Sequence, residues 1–183
     1  MRPEIVTVGH GTLEDASMIS LLQGAGVQHV VDVRSLPGSR RNPQYGRQEL
    51  ERWLPAAGIA YSWEPRLGGR RRAAADSPNT ALRNEAFKGY ADWMGGGECR
   101  SGLDSLLEIS RRQRTAVMCS ETLWWKCHRR LLADALVLLR ATGVLHLFHS
   151  GRLVPHEPTP EARIAGQRLV YDAGGTIRRS PAS

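Results

Sequence analysis

Ile5-Val6-Thr7-Val8-Gly9-His10-Gly11 opens a stretch that closes with His29-Val30-Val31-Asp32-Val33-Arg34, and the reading of that stretch decides the fold. Each end is a short apolar run rich in β-branched residues, the pattern of a strand buried on both faces. Between them Leu13, Met18, Ile19, Leu22 and Ala25 fall on one face of a helix. Thr12 is its expected N-cap, with Asp15 in a capping-box relation, and Gly24 and Gly26 supply the stop. A connection of this length and helical pattern joins strands that run parallel.

The alternation continues outward. Leu50, Trp53, Leu54 and Ala57 predict a short helix closed by Pro55 and Gly58, followed by a third strand over 59–63. Helices are expected over 84–94 and 101–112, separated by Gly95-Gly96-Gly97, and then a buried strand, Thr115-Ala116-Val117-Met118-Cys119. Residues 127–142 carry the clearest helical pattern, with Leu131, Leu132, Ala135, Leu136 and Leu139 facing inward and Gly143 as the cap. A last strand over 144–148 and one more helix after Pro155 complete the reading. Strands alternating with helices predict an α/β fold, a three-layer domain with a mostly parallel sheet and helices on both faces. One such domain is expected over 1–175, with a disordered tail over 176–183.

Composition narrows the setting. The chain has 183 residues, 41% hydrophobic and 23% charged, enough for a full core without disulfide or metal staples. Three cysteines make no disulfide framework and favour a reducing compartment. The chain shows no signal peptide and no apolar run of membrane length, so a cytoplasmic protein with no membrane partner is expected. The net charge is +7, and Lys88 and Lys126 are the only lysines; every other base is arginine. Two readings stand side by side: an anionic partner such as a nucleotide or nucleic acid, or the arginine bias of a GC-rich genome. The oligomeric state is left open.

In open parallel sheets ligands bind beyond the carboxyl ends of the strands. The residues placed there are His10, Asp32 with Arg34, Glu64 with Arg66, and Cys119 with Glu121. The loops beyond the second and third strands add Ser39, Arg40 and Arg41, then Gly68, Gly69, Arg70, Arg71 and Arg72. Two arginine clusters on one rim suit a phosphate-bearing ligand, since the guanidinium fork matches its oxygens.

The segment from Cys119 to Arg129 carries the chemistry. Cys119 ends a strand, while Cys127 and His128 open a helix beside Lys126, Arg129 and Arg130, a setting that favours a thiolate. Cys119 is the expected nucleophile, with His128 as base and Glu121 as acid, base or orienting group. No cofactor is required. Zinc on Cys119, Cys127 and His128 is the lesser reading, because the spacing matches no common finger or ribbon. Free cysteines are also often plain buried residues, and Cys99 is read that way. His29 and His146 are read as structural, and His149 and His156 as lacking partners. Trp124 and Trp125 either stack on a base or wall a pocket.

Several motifs recur together: Thr7-Val8-Gly9-His10, Val31-Asp32-Val33-Arg34, Pro37-x-Ser39-Arg40-Arg41, Gly58-Ile59-x-Tyr61, Leu67-Gly68-Gly69, Gly89-Tyr90-Ala91-Asp92, Met118-Cys119-x-Glu121 and Cys127-His128-Arg129. On these residues, in this order, the chain resembles the bacterial and archaeal domain-of-unknown-function family 488. Gly11 stands where that family often has serine. The resemblance implies the α/β fold and picks out His10, Asp32, Arg34, Cys119, Glu121, Cys127 and His128, but it implies no reaction. The layout of Val31-Asp32-Val33-Arg34 and a later strand-ending cysteine is also similar to rhodanese-type sulfurtransferases, although the loop after Cys119 is long and lacks glycine. The expectation is an enzyme acting on a phosphate-bearing ligand at this pocket. A non-catalytic nucleic-acid-binding module and sulfur or phosphoryl transfer are the alternatives.

Overall fold

The computed structural model describes residues 4–38 and 40–172; Ser39 and the expected tail lie outside the described residues. Five parallel strands form the centre of the sheet: β1 (Glu4–Gly9), β2 (His29–Asp32), β3 (Ala60–Trp63), β4 (Thr115–Cys119) and β5 (Gly143–Leu147). A sixth strand, β6 (Leu153–Pro155), pairs antiparallel with β5, and the order across the sheet is β3-β2-β4-β1-β5-β6.

Period-two alternation sorts the strand residues between two cores. Val6, Val8, Val30, Ala116 and Met118 pack with Met18 and Leu22 of α1 (Asp15–Gly24) and with Leu50, Trp53 and Leu54 of α2 (Arg47–Ala56). Ile5, Val31, Val117 and Cys119 point the other way. They meet Tyr90 of α3 (Glu85–Met94), Leu103 and Leu106 of α4 (Gly97–Ser110) and Leu131 and Leu132 of α5 (Arg129–Arg140). The result is a three-layer α/β arrangement with helices on both faces. Among the described residues no helix is long and apolar enough to cross a membrane.

The strand order places the functional edge. The chain leaves β1 through α1 toward β2 on one face, and leaves β4 through α5 toward β5 on the other. The two connections diverge between neighbouring strands, which opens a crevice at their carboxyl ends.

Several local expectations are corrected. Helix α1 starts at Asp15, with Glu14 rather than Thr12 at its N-cap. Pro55 lies inside α2 as its penultimate residue, so the helix runs one residue past the proline expected to close it. Helix α4 begins at Gly97, so the glycine run starts the helix as well as separating two. A 3-10 turn, Trp124–Lys126, precedes α5, which starts two residues later than read and puts His128 at its N-cap. The left-handed residue after α5 is Ala141, φ 50°, and Gly143 already belongs to β5. After Pro155 the described chain forms a hairpin, β7 (Ala162–Ala165) with β8 (Arg168–Tyr171), where a helix was expected. It docks by Ala162, Leu169 and Tyr171, and tertiary packing overrides the local pattern.

Beneath β1 and β5 runs a buried chain of hydrogen bonds. Thr7 Oγ1 donates to His146 Nδ1 at 2.7 Å, His146 Nε2 to His156 Nδ1 at 2.9 Å, and His156 Nε2 to Asp134 Oδ1 at 2.8 Å. Tyr171 donates to the other Asp134 oxygen at 2.9 Å. The carboxylate can only accept, so with both rings neutral the donors run in this direction and both tautomers follow. His156 therefore has a full set of partners, contrary to the reading that gave it none, while His146 is structural as expected. Trp124, half-buried, stacks flat on His146 with centroids 4.0 Å apart, so one of its faces is taken up within the protein.

Ala141 holds a backbone conformation that costs an L-residue about 1–2 kcal/mol. Ala141→Gly removes that strain at an exposed position and gives part back through the freer unfolded chain. A net gain of about 0.5–1 kcal/mol is expected in urea unfolding, and a loss of stability would show that the turn is not strained.

Candidate functional site

At the crevice, Gly9 pairs with Cys119 in register, and His10 N–H donates to the Cys119 carbonyl at 2.9 Å. A Cβ on Gly9 would fall 1.8 Å from the Glu121 carbonyl oxygen and 2.7 Å from Arg129 Nη2. Only glycine there lets the loop after β4 fold down over the end of β1. The cavity above this edge has a volume of about 420 Å³ and draws on both faces of the sheet. His10 and Arg34 line it from one side, Cys119, Cys127 and His128 from the other, with Gly69, Arg70, Glu121 and Lys126 around the mouth.

The sulfur side is tightly drawn together. His128 Nδ1 lies 3.5 Å from Cys127 Sγ and 3.9 Å from Cys119 Sγ, and the three atoms are within 4.8 Å of one another. Arg129 is only 1% exposed; its Nε donates to Cys127 Sγ at 3.4 Å and its Nη2 to the Glu121 carbonyl. A buried guanidinium needs an anion, and Cys127 is the group beside it that can supply one. A hydrogen bond from Cys119, aided by Arg129, lowers the Cys127 thiol to about 6 against the opposing effect of burial. The same hydrogen bond, together with burial, pushes Cys119 up to about 12. The pair is thus asymmetric: Cys127 is the sulfur shifted toward the thiolate and Cys119 the one shifted toward the thiol. Cys99, deep in α4, is raised to about 11 by burial and stands apart, as read.

The His128 ring is clamped. Tyr90 packs against it edge-on at 4.9 Å, and a Cβ on Gly69 would meet Nδ1 at 2.4 Å. Its Nε2 is buried without a hydrogen-bond partner among the described residues. Gly69, expected as a ligand contact, therefore also makes room for this imidazole, and Gly68 makes room for Ser35, whose Oγ a Cβ would meet at 2.3 Å.

On the other side, Asp32 is fully buried and holds Arg34 through both carboxylate oxygens, at 2.9 and 2.6 Å, while Tyr61 donates to Asp32 at 3.0 Å. Asp32 does not itself line the cavity; the side chain it holds there is Arg34. Arg34 also donates to the Tyr45 carbonyl and to His10 Nε2. His10 Nδ1 donates to the Gly11 carbonyl at 2.9 Å, and its ring stacks on Tyr45 at 4.0 Å. Burial, with Arg34 nearby, lowers His10 to about 4, so the ring is neutral with Nε2 as acceptor. Tyr45 was missed by sequence reasoning, since a lone aromatic in a turn-rich loop carries no local signal. His149 also has a partner, the Gly9 carbonyl at 2.7 Å, where none was expected.

The seven rim arginines separate by environment. Arg34 and Arg70 line the cavity. Arg66 is paired with Glu64 at 2.6 Å and bonded to Ser105, and Arg71 stacks over Trp93 at 3.7 Å. Arg40, Arg41 and Arg72 are exposed outside the cavity. Lys126, not singled out as a ligand residue, joins the lining, and Arg129 turns inward to Cys127 instead of outward to a ligand. The pairings of Asp32 with Arg34 and of Glu64 with Arg66 are local: each carboxylate also accepts the backbone N–H of the arginine two residues on, and Arg66 sits in a 3-10 turn, Pro65–Leu67.

A family model described as "Domain of unknown function DUF488" matches residues 15–136, which takes in every site residue from Asp32 to Arg129 and leaves His10 before it. No curated protein and no solved structure matches the chain.

Gly69→Ala is expected to cost about 1–3 kcal/mol, the range for overpacking, and to move the His128 ring resonances in an NMR spectrum. Gly97→Ala, with nothing within 4 Å of its Cβ, serves as the near-neutral control. Unmoved His128 resonances in the folded variant would show that the loop does not press on the ring.

His10 is lowered to about 4 and His146 to about 3, the latter by burial, then His156 and Arg129. In the unfolded chain both take a proton near 6.5, so the unfolded state binds more protons once the pH falls below that value. Stability is full above about pH 6.5 and falls as the pH drops toward about 4 for His10 and about 3 for His146, by up to about 1.4 kcal/mol per pH unit for each ring. Urea midpoints across that window check the slope; a flat profile would mean that neither ring is held neutral.

Proposed function

The chain belongs to the DUF488 family, a domain of unknown function, and from that premise we propose that it is an enzyme whose strand-end cavity takes a phosphate-bearing ligand, a nucleotide or nucleic acid, and turns it over at the cluster of Cys119, Cys127 and His128. The observation that carries this reading is the buried thiol–imidazole cluster at the floor of a cavity with a cationic rim. Arg34, Arg70 and Lys126 outnumber Glu121 among its charged lining residues. Buried sulfur, imidazole and guanidinium in one place are costly to maintain for packing alone, since apolar residues would fill the same volume without desolvating a charge.

The exposed Arg40, Arg41 and Arg72 extend positive charge beyond the mouth, which favours a ligand with more than one phosphate. Each phosphate contact neutralised by a basic side chain adds to the salt dependence of binding. The same arginines support a second reading, in which the rim holds nucleic acid without turning it over. Turnover separates the two.

Mononucleotides and short single- and double-stranded oligonucleotides are titrated at two ionic strengths, and the recovered ligand is examined by phosphorus NMR and mass spectrometry. Binding at low salt that weakens steeply with added salt is expected. Charge reversal at Arg70 and Lys126 together should lower affinity about tenfold or more, at least about 1.4 kcal/mol. Cys127→Ser should bind but leave the ligand intact. Binding with no chemical change in the wild-type chain would favour the non-catalytic module. No binding at low salt would leave genome composition as the source of the charge.

A further inference from the structure

We infer that Cys119 Sγ, Cys127 Sγ and His128 Nδ1 form a three-ligand site for a zinc-class divalent cation, with the fourth coordination position facing the cavity. Around a tetrahedral zinc, bonds of about 2.3 Å to sulfur and about 2.0 Å to nitrogen place neighbouring donor atoms about 3.5–3.8 Å apart. The two nitrogen–sulfur separations here are 3.5 and 3.9 Å, and the whole triangle closes within 4.8 Å. The donors come from two places in the fold: Cys119 ends β4, while Cys127 and His128 are consecutive residues between the 3-10 turn and α5. Their convergence is a product of tertiary structure, and it explains why the spacing in sequence matches no common finger or ribbon.

The surroundings are those of a ligand set held in advance. Cys119 and Cys127 are 6% and 3% exposed and His128 is 9% exposed, so little water competes for the donors. Arg129 Nε donates to Cys127 Sγ at 3.4 Å, the type of outer-shell bond that orients a metal-bound thiolate. Tyr90 and the missing Cβ of Gly69 fix the imidazole plane so that Nδ1 faces both sulfurs. Two soft sulfurs and an imidazole select zinc, and metals that mimic it, over magnesium or calcium. With three protein ligands, the remaining position opens toward His10 and Glu121, which line the same cavity.

Three protein ligands and one open position is the arrangement of catalytic zinc, which brings the pKa of a bound water to about 7. The site would then supply a hydrolytic nucleophile to the ligand of the preceding section. The ligand rests on that reading; the metal does not.

Zinc is measured by mass spectrometry in protein purified without chelator, and the metal-free chain is titrated with cobalt(II). About one zinc per chain is expected, with tight binding of the order seen for structural sites. Cobalt should give the thiolate charge-transfer band and the visible bands of a tetrahedral centre, with no variant needed. Cys119→Ser and His128→Ala should each lower metal content, while Cys99→Ser, whose sulfur is not in the donor cluster, should keep it. Absence of zinc and of any cobalt–thiolate band, with Cys119 and Cys127 both reduced, overturns the proposal. Retention of metal in the Cys119→Ser/Cys127→Ser double variant overturns it equally. Nucleotide titration of the metal-free chain keeps the two ideas apart. Binding there without metal uptake sinks the metal alone, and metal uptake with no nucleotide binding at low salt sinks the ligand alone.

Discussion

Gly9 and Cys119 face each other across the β1–β4 pair, and the chain leaves those two strands toward opposite faces of the sheet. The crevice between the departing connections is where a parallel sheet can hold chemistry, because backbone amides and carbonyls there have no further strand to pair with. In this chain one missing side chain decides what occupies the crevice. With no Cβ at Gly9, the Glu121 carbonyl and the Arg129 guanidinium come down onto the end of β1. That contact draws the loop from Ser120 to Lys126 inward and brings Cys127 and His128 to Cys119.

Charge is then distributed on either side of the edge by one rule: each buried guanidinium has a partner of its own. Arg34 is neutralised by Asp32 and turned toward His10. Arg129 has no carboxylate among its described contacts and sits against the Cys127 sulfur. A guanidinium in that position favours a sulfur that carries negative charge, whether the charge serves a nucleophile or a metal ion. The surface charge follows a different logic. Arg66 and Arg71 are held by Glu64 and Trp93, while Arg70 and Lys126 remain at the mouth. A high count of arginines therefore overstates the charge available to a ligand.

Below the site, the buried chain from Thr7 through His146 and His156 to Asp134 ties β1, β5 and α5 together, and Tyr171 brings in the terminal hairpin. Every polar atom in that chain must be satisfied, and a single directional series of hydrogen bonds satisfies them. Trp124 stacks on His146, so the turn that presents Cys127 is anchored to this network. Rigidity at the floor of the cavity thus comes from a polar layer and from the two apolar cores together.

The sequence by itself determined the strands β1 to β5, because buried parallel strands are apolar runs long enough to recognise, and their ends marked His10, Asp32, Arg34 and Cys119 as neighbours. It also showed that Cys127 and His128 stand at the start of the helix with the clearest apolar face. Helix starts at Glu14 and Gly96 were less legible, since neither has a side-chain cap hydrogen bond to announce it. The β7–β8 hairpin was misread because its exposed Arg163 and Ile164 break the alternation that identifies a strand. Which arginines are spent on internal partners, which sulfur lies against the Arg129 guanidinium, and that Nδ1 of His128 lies near both sulfurs are visible only in the folded chain. Those outcomes depend on distances of a few ångströms that are set by how the loops fold over the strand ends, and electrostatic energies change over that same range.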